Sequence, residues 1–281
     1  ANVSVSNVTV NSTGTATFSS DDEDATPTWR TFTVTGVLDQ TAGNIDIKGN
    51  SILLSGSTGD VFDRTAGNWS ATTGALIFDP AANAAVAFNP GAGWSIPNLT
   101  IDHSGAVETV TTDDDEAFTV TGILNLVDGV LHTEDGVGSK DGLLTLGNGA
   151  IVKRDASMAS VNEIPSFGTT NDFWYITGAG ATGDELPTST TVINDLRIEV
   201  NTTLSDDATV NGTLFLVGGT FDLTAGTADV TMAAGATINR SGGTMDLAPL
   251  VTSYNVIWSN AVDIIAGPEL VGASVANLDV Q

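Results

Sequence analysis

The sequence repeats with a period of roughly 90 residues, and this repeat limits the folds open to the chain more than any other feature. A strand opening of the form aliphatic-x-Asn/Asp-aliphatic recurs with its polar residue at Asn7, Asn98, Asp195 and Asn277. An ending Thr-Val-Thr-Gly or Thr-Val-Asn-Gly recurs with its glycine at Gly36, Gly122 and Gly212. A lone arginine recurs at Arg64, Arg154 and Arg240. These markers keep step, which predicts one continuous array of units 1–95, 96–192 and 193–274, with 275–281 opening a further unit.

The short distance between turns inside a unit favours one architecture. Turn glycines in the third unit recur at Gly212, Gly219, Gly226, Gly235 and Gly243. Alternating apolar pairs lie between them, such as Leu214 with Leu216, as in strands with one buried face. Such close strands suit the three sides of a coil of about 23 residues and leave little room for the crossing loops of a sandwich. We therefore predict an all-β fold, a right-handed parallel β-helix (β-solenoid) of about twelve coils. Tandem β-sandwich domains of about 100 residues each are the alternative.

The same alternation predicts which side chains face the core. Phe32 with Val34, Phe118 with Val120, and Leu214 with Leu216 are expected to point inward. Their neighbours are expected to point outward, namely Thr33, Thr35, Thr119 and Thr121. The aromatic stretches 173–176 and 254–258 are interpreted as strands with alternating inward rings rather than as stacking surfaces for sugars. His103 and His132 have no His or Cys partner at metal spacing, so we expect both in exposed turn or strand positions.

The charge balance bears on partners. The formal net charge of -26, with only 8 Lys and Arg residues, opposes binding to phosphate backbones and anionic headgroups. No apolar run approaches the length of a membrane span. We therefore expect neither nucleic-acid binding nor membrane insertion. The chain has no cysteine, which excludes a disulfide framework and thiol chemistry.

Acidic runs are the candidate metal ligands. The first two runs contain Asp21, Asp22 and Asp24, and then Asp113, Asp114 and Asp115. A shorter third run is Asp206 and Asp207. Clustered carboxylates in a turn suit Ca²⁺, which takes six to eight oxygen ligands in irregular geometry. The runs match neither the EF-hand nor the glycine-rich nonapeptide repeat. Solvated turns are therefore the favoured interpretation, Ca²⁺ sites remain the alternative, and no cofactor is required.

Two long stretches resemble a known group of proteins. "AGNWSATTGALIFDPAANAAVAFNPGAGWSIPNLTI" and "ITGAGATGDELPTSTTVINDLRIEVNTTLSDDATVNGTLFLVGGTFDL" are similar to repeats of very long bacterial surface proteins, the filamentous-haemagglutinin-like and autotransporter-like β-helix adhesins. The resemblance covers nearly the whole chain, but it rests on strand and turn patterns and carries over no functional residue. It implies an extracellular or cell-surface location and a structural or adhesive role.

We therefore expect a non-enzymatic extracellular rod, as a cell-surface stalk, an adhesin segment or a head-to-tail filament subunit. Its expected partners are copies of itself stacked end to end, or further repeats of a longer chain, with surface glycans as a further candidate. A carbohydrate-active β-helix enzyme or sugar-binding module is the alternative. Such a protein requires a carboxylate pair, or Ca²⁺ with a basic residue, facing a cleft. Basic residues are scarce here and three arginines recur with the repeat, which favours a structural contact at turns.

Overall fold

The computed structural model describes residues 3–18, 30–80, 84–103, 109–112, 116–133, 142–156, 159–178, 180–225, 228–251, 253–259, 266–270 and 275–281. The chain forms two compact units. The first contains Ala1–Gly147 and Ser160–Ser166, and the second contains Asn148–Ala159 and Phe167–Gln281. The division of the sequence into three repeat units remains a prediction.

The described residues form short strands and a single turn of 3₁₀ helix at Pro268–Leu270. The strands in chain order are β1 Val3–Val5, β2 Val8–Thr17, β3 Thr31–Val34, β4 Leu38–Lys48, β5 Ser51–Leu54, β6 Gly59–Arg64, β7 Trp69–Ala71, β8 Leu76–Phe78, β9 Val86–Asn89, β10 Trp94–Asp102, β11 Thr109–Thr112, β12 Phe118–Asp128, β13 Val130–His132, β14 Leu144–Leu146, β15 Ile151–Arg154, β16 Ser160–Val161, β17 Ser166–Phe167, β18 Asn171–Tyr175, β19 Ile193–Ile198, β20 Thr202–Thr203, β21 Ala208–Val210, β22 Thr213–Leu216, β23 Thr220–Asp222, β24 Val230–Met232, β25 Thr237–Arg240, β26 Thr244–Met245, β27 Leu250–Val251, β28 Tyr254–Trp258 and β29 Val275–Val280.

In the first unit, strands β1 to β14 alternate between two parallel sheets, except that β6 and β7 follow each other in the same sheet. One sheet has the order β1-β3-β5-β8-β10-β12, with β14 also beside β12. The other has the order β16-β13-β11-β9-β6-β4-β2. Strand β4 pairs with β6 over its first residues and with β7 over its last. Between these two parts lies Gly43, whose φ of 80° falls in the left-handed region that glycine adopts without strain. A single strand therefore changes its pairing partner where its backbone bends.

In the second unit, each complete coil passes through three parallel sheets. The first sheet has the order β15-β18-β19-β22-β25-β28-β29. The other two have the orders β20-β23-β26 and β21-β24-β27. Strands β19, β20 and β21 therefore make one three-sided coil, and β22 begins the next coil beside β19. The prediction of three strands per coil is confirmed here.

The parallel pairing confirms the predicted β-solenoid and excludes tandem β-sandwiches, whose sheets are antiparallel. Contacts between coils join residues 18 apart at Asp195 and Thr213 and 25 apart at Asn98 and Ile123. These separations bracket the expected 23 residues. The solenoid has about nine turns, slightly fewer than the expected twelve. Some coils are longer than the expected 23 residues, since Val3 pairs with Phe32, which lies 29 residues later in the chain.

The core follows the predicted inward alternation. Phe118 and Val120 are fully buried, and so are Leu214 and Leu216. Val34 is also buried, whereas Phe32 is half-buried and packs edge-on against Phe18 with ring centroids 5.2 Å apart. The four predicted outward threonines are half-buried or exposed. Alternation therefore identifies the buried face correctly at the second and third sites and at Val34, whereas Phe32 is half-buried like its neighbour Thr33.

Phe118→Ala should lower the free energy of unfolding by about 3–5 kcal/mol, because the substitution leaves a cavity beside the rings of Phe88 and Trp94. Urea denaturation of the 281-residue chain measures the change. Thr119→Ala on the outward side of the same strand is the matched control and should change stability by less than about 0.5 kcal/mol. Equal effects of the two substitutions would contradict this register.

Candidate functional site

The two longer acidic runs, which contain Asp21, Asp22, Asp24, Asp113, Asp114 and Asp115, lie outside the described residues. Their coordination of Ca²⁺ therefore remains a prediction. Across the part of the chain that the structure describes, no group of three or more His, Cys, Asp or Glu side chains could hold a metal ion.

The third acidic run lies at an open surface cleft of about 390 Å³. Thr188, Ser205, Asp206, Asp207 and Ala228 line the cleft. The Oδ1 atom of Asp207 accepts a hydrogen bond of 2.8 Å from the backbone N–H of Asp229 in the next coil. This carboxylate therefore orders the backbone at a turn as well as facing solvent.

Two of the repeated sequence markers contact each other between successive coils. The Asn or Asp of the strand opening accepts a hydrogen bond, through Oδ1, from the backbone N–H of the residue after the repeated glycine. The three contacts are Asn7 with Val37 at 2.8 Å, Asn98 with Ile123 at 3.0 Å and Asp195 with Thr213 at 2.7 Å. We call this interaction the Asx–Gly contact. It explains why the two markers keep step along the sequence.

The repeated glycine leaves the space that the Asx–Gly contact occupies. A Cβ atom added at Gly122 would lie 2.5 Å from the backbone carbonyl oxygen of Pro97 and 2.7 Å from Oδ1 of Asn98. One added at Gly212 would lie 2.5 Å from Oδ1 of Asp195. These distances are shorter than side chains tolerate. Glycine is needed at these positions for close approach between coils, and the sequence pattern alone did not reveal this reason.

The three repeated arginines are buried at the ends of their strands and bind backbone carbonyls at the turns that follow. Nε of Arg64 donates to the carbonyl of Gly67 at 3.0 Å, and Nε of Arg240 donates to that of Gly243 at 2.6 Å. Nε of Arg154 donates to the carbonyl of Ala156 at 3.4 Å, and its Nη1 donates to that of Ala181, 27 residues later, at 2.6 Å. The structural turn contact predicted from the repetition is confirmed.

Arg154 belongs to a buried polar cluster that sequence reasoning missed. Its Nη1 lies 2.8 Å from Oε1 of Glu185, which also accepts hydrogen bonds from the hydroxyl of Tyr175 at 3.1 Å and from the backbone N–H of Gly183 at 3.0 Å. Burial, followed by the negative charge of Glu185, raises the pKa of Tyr175 well above its ordinary value. The cluster thus places one cation and one anion beside a neutral phenol in the interior.

A second copy of this cluster lies about one repeat later. Nη1 of Arg240 lies 2.5 Å from Oε1 of Glu269, which accepts a further hydrogen bond of 3.2 Å from the backbone N–H of Gly267. Tyr254 donates its hydroxyl to the backbone carbonyl of Glu269. The shared sequence signal is Gly-x-Glu-Leu, at residues 183–186 and 267–270.

The first arginine differs from the other two. Arg64 lies on β6 in the second sheet of its unit, and its Nη1 donates to the carbonyl of Pro90 at 2.8 Å. Burial lowers the pKa of its guanidinium, and the charge of Glu116 acts in the opposite direction. Equal spacing in the sequence therefore did not place the three arginines on the same side of the coil.

The expectation that both histidines are exposed was wrong for His103, which is fully buried. Its backbone N–H donates to the carbonyl of Asp128, and its Nε2 lies 2.5 Å from the carbonyl oxygen of Ala84. The ring therefore reaches a backbone carbonyl 19 residues earlier in the chain, a contact that metal-ligand spacing in the sequence does not predict. His132 is half-buried, and its Nε2 lies 3.9 Å from a carboxylate oxygen of Glu163.

The two aromatic stretches form strands as predicted. Phe173 and Tyr175 of β18 point inward and are buried. Between them, Trp174 is half-buried, and its ring lies 4.7 Å from Nζ of Lys153. In β28, Tyr254 and Val256 are the buried residues. The inward rings are therefore part of the core.

No protein-family model, no curated protein and no solved structure matches the chain. Within the described ranges, no helix has the length and apolar character needed to cross a membrane.

Stability should fall as the pH rises above about 10, near the ordinary pKa of tyrosine. Because the pKa of Tyr175 is raised in the folded state, the unfolded chain loses this proton first and is favoured at alkaline pH. Urea midpoints at pH 8 and pH 10.5 should differ less for Tyr175→Phe than for the unaltered chain. At pH 8, which is below the pKa of tyrosine, the difference in urea midpoint between the variant and the unaltered chain measures the loss of the hydrogen bond to Glu185. An equal decrease in the urea midpoint of both proteins between pH 8 and pH 10.5 would contradict a role for the Tyr175 hydroxyl.

If the acidic turns bind Ca²⁺, millimolar CaCl₂ should raise the melting temperature above that in an equal ionic strength of NaCl. The combined substitutions Asp113→Asn and Asp115→Asn should remove the Ca²⁺-specific part of this increase. Asp206→Asn with Asp207→Asn is the matched control in the short third run. Identical melting curves in chelator and in millimolar Ca²⁺ would eliminate the metal site.

Proposed function

We propose that the chain is a non-enzymatic, extracellular structural or adhesive rod that serves as a cell-surface stalk, an adhesin segment or a head-to-tail filament subunit. Its partners are copies of itself or further repeats of the same kind, and surface glycans are the candidate ligands. The observation that carries the proposal is the Asx–Gly contact, which recurs in three copies and joins each opening strand to the coil after it. A repeated contact between coils is what an array requires in order to extend.

The basic side chains give further support, because their contacts hold strands and turns together. Arg64, Arg154 and Arg240 are buried against turn carbonyls. Nε of Arg197 lies 2.5 Å from Oε1 of Glu199, which directly follows the same strand. Nζ of Lys153 lies over the ring of Trp174. A catalytic base or a substrate-binding cation is normally built once and faces a cleft. Repetition and burial instead favour a structural role for these arginines.

The net charge fits an extracellular array. At -26, the chain carries a negative potential that keeps a long assembly soluble and that mobile cations screen. Absence of cysteine from the sequence means that stability comes from packing and hydrogen bonds between coils rather than from disulfides.

The alternative function, a carbohydrate-active enzyme or sugar-binding module, would use the cleft at Asp206 and Asp207. Its lining offers hydroxyl and carboxylate groups to a sugar, but it includes no Arg or Lys. Binding of sugar acids, or removal of a proton from one, would require such a residue. We therefore favour the structural role. A glycan array tests the alternative. Binding of a glycan by the unaltered chain, and its loss in the variant with Asp206→Asn and Asp207→Asn, would support a sugar-binding function.

The purified 281-residue chain should associate end to end as its concentration rises, because strand edges at the ends of a solenoid leave backbone N–H and C=O groups without partners. Size-exclusion chromatography with light scattering should give a mass that increases with concentration. Electron micrographs of the same samples should show extended particles of uniform width. A monomer of 28.6 kDa at every concentration would contradict head-to-tail assembly.

A further inference from the structure

Cations and aromatic rings alternate in one row on the outward face of the first sheet of the second unit. The row lies in register across the parallel strands β15, β18, β19 and β22, and its members are Lys153, Trp174, Arg197 and Phe215. All four are half-buried, and their neighbours along each strand are buried. Successive strands lie about 4.8 Å apart, so the two cations stand roughly 10 Å apart, as do the two rings. We call these four residues the cation–aromatic row.

The cation–aromatic row does not follow from the repeat. Of the Lys and Arg residues that the structure describes, the three repeated arginines are buried, and two others lie in the first unit. In the preceding copy of the paired strands, Thr100 takes the place of Arg197. Asn125 likewise takes the place of Phe215. The stacking of coils therefore does not require these side chains, and a binding site is normally built once.

Local contacts hold both cations beside the rings. Nζ of Lys153 lies 4.7 Å from the centre of the Trp174 ring, where the ring quadrupole attracts the ammonium group. Nε of Arg197 lies 2.5 Å from Oε1 of Glu199, and the Arg197 side chain is 35% exposed. This pairing uses one of the five N–H groups of the guanidinium. Arg197 is thus oriented while it keeps donors that a carboxylate can reach.

Carboxylates on both sides of the row limit the charge that a ligand can carry. They lie two residues before or after a member of the row, at Asp155, Asp172, Asp195 and Glu199. A chain with an anionic group on every unit would bring some of these groups against the flanking carboxylates, which is unfavourable. A chain with an anionic group on every second unit matches the two cations and avoids this repulsion.

We infer that the cation–aromatic row binds a linear glycan that carries a carboxylate on every second sugar. A sugar ring in an extended glycan is about as long as the spacing between strands, so successive sugars meet successive members of the row. The acidic sugars pair with Lys153 and Arg197. The neutral sugars between them pack their apolar C–H groups against Trp174 and Phe215. The inference rests on the proposed function, because it names the class of surface glycan that the rod binds.

Isothermal titration calorimetry of the 281-residue chain with oligosaccharides of equal length tests the ligand class. Hyaluronan and unsulfated chondroitin alternate glucuronate with a neutral sugar, and they should bind saturably and more weakly as NaCl is added. Chitin oligosaccharides, which are neutral, and oligogalacturonates, which carry a carboxylate on every sugar, should bind at least about fivefold more weakly. Failure of both alternating glycans to bind would overturn the inference, and so would equal affinity for all four.

Variants of the chain locate the site. Trp174→Ala should weaken hyaluronan binding at least about tenfold. Arg197→Gln should weaken it about three- to tenfold and reduce its dependence on salt, because one charged contact is lost. Lys48→Gln removes an exposed cation of the first unit and is the matched control, with unchanged affinity expected. Urea midpoints verify that each variant is folded. Unchanged affinity in folded Trp174→Ala and Arg197→Gln variants would overturn the assignment.

Two further comparisons separate this inference from the proposals above. Asp206→Asn with Asp207→Asn should leave hyaluronan binding unchanged, and its loss would place the glycan in the cleft and overturn the inference. Hyaluronan binding by a chain that stays monomeric would support the cation–aromatic row and contradict head-to-tail assembly. Concentration-dependent association of a chain that binds none of the glycans would overturn the row and leave the structural rod intact.

Discussion

The structure depends on side-chain oxygens that bind backbone N–H groups of the next coil where strands end. The ladder of backbone hydrogen bonds is interrupted at these corners, and a hydrogen bond formed there contributes about 0.5–1.5 kcal/mol to stability. The Asx–Gly contact supplies the acceptor at one corner. Asn148 accepts from Thr169 at 2.8 Å and Asn201 accepts from Thr220 at 2.9 Å at others. Stacking is therefore specified at the corners as well as by the apolar faces of the strands.

The buried Arg–Glu pairs add specificity in a different way. Removing two charges from water costs several kcal/mol per ion, so such a pair contributes little net stability compared with well-packed apolar residues. The guanidinium of Arg154 nevertheless reaches a carbonyl and a carboxylate 27 and 31 residues away along the chain. A coil stacked out of register would leave this charge buried without its partners. The pairs thus disfavour wrong arrangements more than they strengthen the correct one.

Periodicity predicted the fold well because the signal is local. The inward positions of Phe118 and Val120 follow from alternation within one strand, and the parallel solenoid follows from the short distance between turns. The partners of Arg154 could not be predicted in this way, because Glu185 lies 31 residues away and spacing gives no information on which corner faces which. Burial of His103 was missed for the same reason. The acidic runs at 21–24 and 113–115 remain sequence-based candidates.

Coil length has a consequence for how the chain folds. The hydrogen bonds of the Asx–Gly contact span 18 to 30 residues, which is roughly a tenth of the chain or less. Low relative separations of this size are more typical of helical bundles than of β-sandwiches, whose strands pair across the whole domain. Each coil has only its sequence neighbours as templates, so folding can nucleate in one coil and propagate to the next. A chain of this kind can therefore be lengthened without an increase in the distance over which any segment must search for its partner.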